Sequence, residues 1–157
     1  QEHQKVNYDR GANSPIVDLR WYVTSFVGFD PEEALTADDD FGLDDIDHID
    51  RTLRRCIEVS GATLLHIHLH HFTPNGGVSG VAVLAESHIS IHSWPEYGYA
   101  ALDVFMCGET NPRASIDVLK EAFSPRKVVV KEQLRGKEMH RWNGGSKRRS
   151  IAASASV

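Results

Sequence analysis

The feature that most constrains the fold of this chain is a set of four short strand-like stretches packed into residues 63–106. They are rich in β-branched and aromatic residues or alternate polar with apolar ones, and the breaks between them contain Pro, Gly and Asn. Strands joined by such short connections pair antiparallel, because a parallel pair needs a much longer crossover. The predicted strands are Thr63–Phe72, Ser79–Ala85, His88–Trp94 and Tyr99–Met106.

Two amphipathic helices flank this strand region. From Asp44 to about Gly61, apolar residues recur at helical spacing behind acidic residues that can cap the helix. The second predicted helix begins at Pro112, with Asn111 as its N-cap, and ends before Pro125. Both helices therefore have an apolar stripe that needs a sheet to cover.

Further strands are predicted over Pro15–Val27 and Lys127–Leu134. Strands that are grouped together, rather than alternating strictly with helices, predict an α+β fold. We therefore expect a two-layer sandwich, with both helices on one face of an antiparallel sheet, in a single domain over residues 14–136. Residues 1–13 are expected to be flexible, and the basic, Ala- and Ser-rich tail 137–157 to be disordered.

The other face of the sheet is predicted to carry histidines. His66, His68 and His70 alternate with leucine and isoleucine along one strand, so their imidazoles share a face that is too polar for a core. A cleft or a second sheet is its expected neighbour. No cysteine or carboxylate stands beside these histidines at a familiar ligand spacing, so we expect no metal site. The same alternation puts His88, Ser90 and His92 on one face and Ile89, Ile91 and Ser93 on the other.

Charge and cysteine content narrow the class of partner. A formal net charge of −5 gives no overall basic field, so we expect a small-molecule substrate and no nucleic acid. There is no signal-like stretch and no apolar run of the ~20 residues that a membrane helix needs, so no membrane partner is expected. Cys56 is predicted to lie in the core and Cys107 to face a cleft without pairing, which favours a cytoplasmic location.

One segment concentrates the reactive side chains. Ser87 follows Glu86, His92 comes five residues later, and Cys107 lies fifteen residues after that. The pattern resembles the short prokaryotic S-adenosylmethionine decarboxylases, and the resemblance covers roughly residues 43–136. It implies a proenzyme that cuts itself between Glu86 and Ser87, so that the serine becomes a pyruvoyl group at the new N-terminus.

The resemblance implies a role in self-cleavage for three side chains. The Ser87 hydroxyl attacks the preceding carbonyl and moves the acyl group from nitrogen to oxygen, which gives an ester. His92 is the expected base that removes the serine α-proton so that the ester leaves. Ser79 is expected to donate a hydrogen bond to the oxyanion formed during the acyl shift.

The implied cofactor is the covalent pyruvoyl group made from Ser87, in place of pyridoxal phosphate and without a metal. Its ketone would form a Schiff base with the substrate amine and withdraw the electrons left when carbon dioxide departs. Cys107 is the expected proton donor to the resulting carbanion.

The family pattern also implies a substrate site. Phe72 would stack on adenine and Glu96 would hold the ribose hydroxyls, although the turn after Phe72 has one more glycine than the family's usual spacing. The product would be decarboxylated S-adenosylmethionine, the aminopropyl donor of spermidine biosynthesis. The resemblance further implies a homodimer of cleaved protomers that stacks two sheets, with active sites near the interface.

The N-terminal part departs from the family. Ile16–Leu19 fits the family's short first strand, and Arg20–Phe41 is interpreted as an insertion. The acidic stretch 30–45, which overlaps the end of this segment, is expected to form a mobile loop. Some relatives with the self-cutting motif act on arginine or ornithine. The acidic residues 30–45 could contact the cationic side chain of such a substrate. A pyruvoyl-dependent arginine or ornithine decarboxylase is therefore an alternative, and a non-catalytic regulatory homologue is a remote one.

Overall fold

The computed structural model describes the backbone of residues 19–27 and the structure of residues 41–135, with side chains to residue 133. The predictions for residues 1–13, for most of the acidic stretch and for the tail 137–157 lie outside the described residues. The elements in chain order are β1 (Leu19–Val27), α1 (Ile46–Ser60), β2 (Leu64–His71), β3 (Val78–Leu84), β4 (Ser87–Trp94), a short 3₁₀ turn (Pro95–Tyr97), β5 (Tyr99–Met106), α2 (Pro112–Phe123) and β6 (Lys127–Arg135).

All six strands form one antiparallel sheet in the order β2-β3-β4-β5-β1-β6. The four strands predicted over residues 63–106 form a continuous meander, as their short connections require. The N-terminal strand joins them from a distance in sequence, because β1 pairs with β5 on one side and β6 on the other. The described part of this strand starts at Leu19, and residues 15–18 of the predicted strand lie outside the described residues.

The first part of the segment interpreted as an insertion, Arg20–Phe41, is a strand of the sheet. Residues 20–27 belong to β1, where Val23 lies opposite Asp103 in β5 and Lys131 in β6. The Trp-Tyr-Val-Thr run in this stretch consists of residue types that favour strands. A position between two strands gives the backbone hydrogen-bonding partners on both sides, so this segment completes the sheet.

Both helices cover the same face of the sheet, and the core lies between the two layers, which confirms the predicted α+β sandwich. Ile89, Ile91 and Leu102 point into the core from β4 and β5. Cys56 is fully buried on the inner face of α1, as predicted. No helix in the described part of the chain is long and apolar enough to cross a membrane. The helices contribute the buried residues Ile49, Leu53, Ile116, Leu119 and Phe123.

The helix ends follow the sequence prediction only in part. Asp45 caps α1 by accepting a 2.9 Å hydrogen bond from the His48 backbone N–H, which lowers the pKa of the Asp45 carboxyl. Gly61 ends this helix in the left-handed conformation, at φ 70°. Asn111 makes no side-chain capping bond to α2, contrary to prediction. Its backbone N–H donates to the Ser60 carbonyl at 2.9 Å, so the start of α2 is tied to the end of α1.

Neither described helix lies on the opposite face of the sheet, and we call it the open face. His88, Ser90 and His92 alternate along β4 with its buried positions and therefore lie on this face, as predicted. Apolar side chains are exposed here as well, since Phe72 is 48% exposed and Val83 is 41% exposed. The open face therefore mixes imidazoles with uncovered apolar surface.

Replacement of Ile91 by alanine should destabilise the protein by about 2–5 kcal/mol, because it removes a fully buried side chain and leaves a cavity. Ser90→Ala changes the neighbouring residue on the open face and should alter the free energy of unfolding by less than about 0.5 kcal/mol. Urea denaturation of both variants at one protein concentration measures the difference. Equal losses would contradict the assignment of the two faces.

Candidate active site

The predicted cleavage point lies in the tight turn between β3 and β4. Ala85 and Glu86 connect the two strands, and Leu84 pairs directly with Ser87. Glu86 has φ +63°, a left-handed conformation that costs a non-glycine residue about 1–3 kcal/mol. The peptide bond between Glu86 and Ser87 therefore lies at the strained tip of a hairpin.

Cys107 completes a cluster at this turn. It follows the last residue of β5, and its Sγ lies 3.6 Å from Ser87 Oγ. The thiol donates toward the Glu86 carbonyl oxygen at 3.5 Å and lies 3.8 Å from the carboxylate of the same residue. One thiol thus contacts both a candidate nucleophile and the carbonyl that precedes it. The structure brings these three predicted site residues together.

Ser79 and His92 form a second group at the other end of the same hairpin. They are direct cross-strand partners, and Ser79 Oγ lies 2.9 Å from His92 Nδ1. Five residues of extended strand separate His92 from Ser87 by roughly 16 Å, and the odd number puts their side chains on opposite faces. Within one chain, the structure does not bring His92 or Ser79 to Ser87.

A cavity of about 420 Å³ opens beside Ser79. Phe72 and Glu96 line the same cavity, so three of the predicted site residues meet there although they come from three separate segments. The turn after β2 forms one wall and the end of β4 forms another. The other lining residues are Thr73, Pro74, Asn75, Gly77, Ser93 and Trp94.

Ser93 is a buried residue of this cavity that the sequence prediction left out of the site. Its hydroxyl accepts a hydrogen bond from the Val78 N–H at 2.8 Å and donates to the Leu43 carbonyl at 2.7 Å. These bonds join the segment before α1 to β3 and β4. A Cβ on Gly77 would lie 2.7 Å from the Ser93 carbonyl oxygen, so the turn packs closely on this strand. The sequence signal for this residue was that Ser93 follows Ile89 and Ile91 at a core-facing position of β4.

Trp94 is a second cavity residue that the sequence prediction left out of the site. Its ring centroid lies 6.2 Å from that of His92 and 5.4 Å from that of Tyr99. Phe72 and Trp94 are two aromatic residues of the cavity lining, and Glu96 lines the same cavity. Such a cavity suits a flat, partly apolar ligand that also carries hydroxyl groups.

The two cysteines lie in different environments and are both free, in agreement with the sequence prediction. Burial raises the pKa of the Cys56 thiol to about 12, although a hydrogen bond with the Ser115 side chain acts in the other direction. Cys107 is partly exposed at the hairpin turn. Of the two, Cys107 alone has both exposure and a reactive neighbour.

His66, His68 and His70 are spread along the open face, and His71 lies on the other face of β2. Among the side chains that the structure describes, no group of three or more His, Cys, Asp or Glu residues is arranged to hold a metal ion.

The fold and the site together define an α+β sandwich protein with a serine at a strained hairpin tip and a thiol in contact with it. A family model described as S-adenosylmethionine decarboxylase matches residues 33–136. The chain belongs to the S-adenosylmethionine decarboxylase family. The match begins ten residues before the expected start at 43, so part of the segment interpreted as an insertion lies within the family region.

Relatives and a solved structure agree with this assignment. The chain is 46% identical over 95 residues to an S-adenosylmethionine decarboxylase proenzyme of Thermomicrobium roseum, covering 60% of this chain and 82% of the relative. It is 50% identical over 95 residues to a proenzyme of the same name from Methanococcus vannielii, and the match covers 60% of this chain and 77% of that relative. The crystal structure of the adenosylmethionine decarboxylase from Aquifex aeolicus VF5 is similar with a TM-score of 0.57 at 28% identity, covering 76% of this chain and 92% of that one.

A thiol-specific reagent such as Ellman's reagent should modify one cysteine of the folded chain quickly and the second only after denaturation. The fast thiol should be Cys107, because a buried thiol with a pKa of about 12 is ionised at pH 8 only on the order of once in 10⁴ molecules. Cys107→Ser should remove the fast phase, and the matched variant Cys56→Ala should keep it. Two fast thiols in the folded protein would contradict this prediction.

Proposed function

We propose that this chain is a self-processing S-adenosylmethionine decarboxylase, a carboxy-lyase that releases carbon dioxide from S-adenosylmethionine. The product is the aminopropyl donor of spermidine biosynthesis. The observation that carries the proposal is the contact of the Cys107 thiol with both the Ser87 hydroxyl and the Glu86 carbonyl at a strained turn. Membership of a family whose members are named proenzymes supports it.

Self-processing starts at the hairpin tip. Ser87 Oγ attacks the Glu86 carbonyl carbon, the carbon–nitrogen bond breaks, and the hydroxyl proton passes through a base to the released amine. Cys107 is placed to donate to the carbonyl oxygen while negative charge develops there, the role that the sequence had suggested for Ser79. The strained conformation of Glu86 favours this step, because bond rearrangement relieves the constraint.

The ester then breaks by elimination. A base removes the α-proton of Ser87, the carbon–oxygen bond breaks, and residues 1–86 leave with a carboxylate at their new C-terminus. Water then replaces the nitrogen of the dehydroalanine that remains at position 87, and ammonia departs. His92 is the proposed base.

The residues at the turn fit a pyruvoyl group. Ser87 is nearly buried as the first residue of β4, and the nearby Cys107 thiol can hold a proton for the substrate carbon. The pyruvoyl group supplies a ketone that withdraws electrons from the bond between the substrate's α-carbon and its carboxylate. The chain's own serine thus takes the place of pyridoxal phosphate.

A second copy of the chain would complete the site. In one chain His92 lies roughly 16 Å from Ser87. We propose a homodimer in which two open faces stack about a two-fold axis that crosses the strands. This arrangement brings the second copy's Ser79–His92 pair to the open face of each cleavage turn. The apolar side chain of Val83, which is 41% exposed on the open face, supports this interface.

The cavity residues are the proposed substrate site. Phe72 and Trp94 offer surfaces on which adenine can stack, and the Glu96 carboxylate can accept hydrogen bonds from both ribose hydroxyls. These two aromatic walls, with the family assignment, favour S-adenosylmethionine over arginine or ornithine as substrate. The intact turn cluster argues against a non-catalytic homologue. The cytoplasmic location stays a prediction.

Ser87→Ala should give an uncut chain without decarboxylase activity, because the attacking hydroxyl is gone. The wild-type protein should give two fragments, residues 1–86 and 87–157, on a denaturing gel and by mass spectrometry. Release of labelled carbon dioxide from S-adenosylmethionine, arginine and ornithine, offered in parallel, identifies the substrate. Two fragments from Ser87→Ala would refute the cleavage site.

Mixed dimers test whether the site is shared between chains. Ser87→Ala and His92→Ala should each remain uncut alone, since one lacks the nucleophile and the other the base. In dimers purified through two different tags, the His92→Ala chain should be cut, because its Ser87 meets the base of its partner. Activity should return to about half of the wild-type value, as one of two symmetric sites is complete. If both chains stay uncut in the mixed dimer, the shared site is wrong.

A further inference from the structure

Phe72 has a fixed backbone and a loosely packed ring. It follows the last residue of β2, where its N–H donates to the Gly77 carbonyl at 2.7 Å and its carbonyl accepts from the Gly76 N–H at 2.8 Å. Its side chain is 48% exposed, so the sheet alone leaves the ring free to change rotamer. A ring in this state makes a poor stacking surface, because binding would have to order it.

The ring is held by its neighbour along the strand. The centroids of the His70 and Phe72 rings lie 4.6 Å apart, and their planes meet at 73°, an edge-to-face arrangement. Both side chains project from the open face because they are two residues apart on an extended segment. The His70 imidazole therefore fixes the direction in which the Phe72 ring faces the cavity.

The register also places His70 next to Ser79, which lines the cavity. His70 is the direct cross-strand partner of Ser79, which in turn is the partner of His92. Directly opposed side chains have Cβ atoms about 4.5–5.5 Å apart. His70 therefore lies beside Phe72 on one side and beside the Ser79–His92 pair on the other. Replacement of the His70 ring would first change the orientation of Phe72, because the described ring contact of His70 is with Phe72.

We infer that His70 is a positioning residue for substrate binding, which orients the Phe72 ring for stacking on the adenine of S-adenosylmethionine. The inference rests on the proposed function. His70 does not touch the reacting carbon in this scheme, so it sets affinity and not the rate of the chemical step. An aromatic ring is the property that matters at this position, because edge-to-face packing requires one.

His70→Ala tests the inference in the processed enzyme, with KM and kcat measured for S-adenosylmethionine. The loss of one edge-to-face contact should raise KM about three- to tenfold and leave kcat within about twofold. His70→Phe should restore the wild-type KM, because it keeps a ring at the same position. His68→Ala is the matched control, since it removes an exposed imidazole two residues away on the same face of the same strand.

The outcomes separate the inference from the proposed function. An unchanged KM in His70→Ala, a KM effect matched by His68→Ala, or failure of His70→Phe to restore KM would overturn the inference while leaving the decarboxylase activity in place. A fall in kcat at constant KM would also overturn it. If His70→Ala does not form the same assembly as the wild type, His70→Gln provides the same comparison with a polar side chain. A wild-type protein that neither cuts itself nor decarboxylates S-adenosylmethionine would defeat the proposed function itself.

Discussion

The register between β3 and β4 determines both the core and the candidate site. Two residues connect these strands, so Leu84 lies opposite Ser87 and every later pair follows, as far as Ser79 and His92. A slip by one residue would turn the buried isoleucines of β4 out of the core and bring its histidines into it. The hydrophobic contacts that prevent such a slip therefore also fix the strained turn at one end of the hairpin and the hydroxyl–imidazole pair at the other.

Most of the fold could be predicted from local patterns. Alternation identified four consecutive strands and their two faces, and helical spacing identified both helices, because these signals repeat every few residues. The place of Leu19–Val27 could not be predicted in the same way. Its partners in β5 and β6 lie about 80 and 110 residues away in the chain, and no turn sets that register. The Asn111 cap failed for a related reason, since a contact with the end of α1 holds this residue.

The candidate site was predictable in its residue types and less so in its geometry. The contact between Ser87 and Cys107 follows from the pairing of β4 with β5, which brings the start of one strand to the end of the other. His92 and Ser87 are close in sequence, yet an extended strand carries them far apart, so short spacing was a misleading guide to proximity. Ser93 and Trp94 became visible as cavity residues only when the turn after β2 was placed beside them.

The left-handed conformation of Glu86 bears on whether the proposed cleavage after this residue could be reversed. In the intact polypeptide the hairpin forces this residue into an unfavourable backbone angle, and a break after it would free residue 86 as a flexible end. The two strands would stay together through their ladder of hydrogen bonds and their buried side chains, with no covalent link at the tip. In the proposed scheme residue 87 would also have lost its nitrogen as ammonia, so a chain cut at this turn would keep its paired strands and would not reseal.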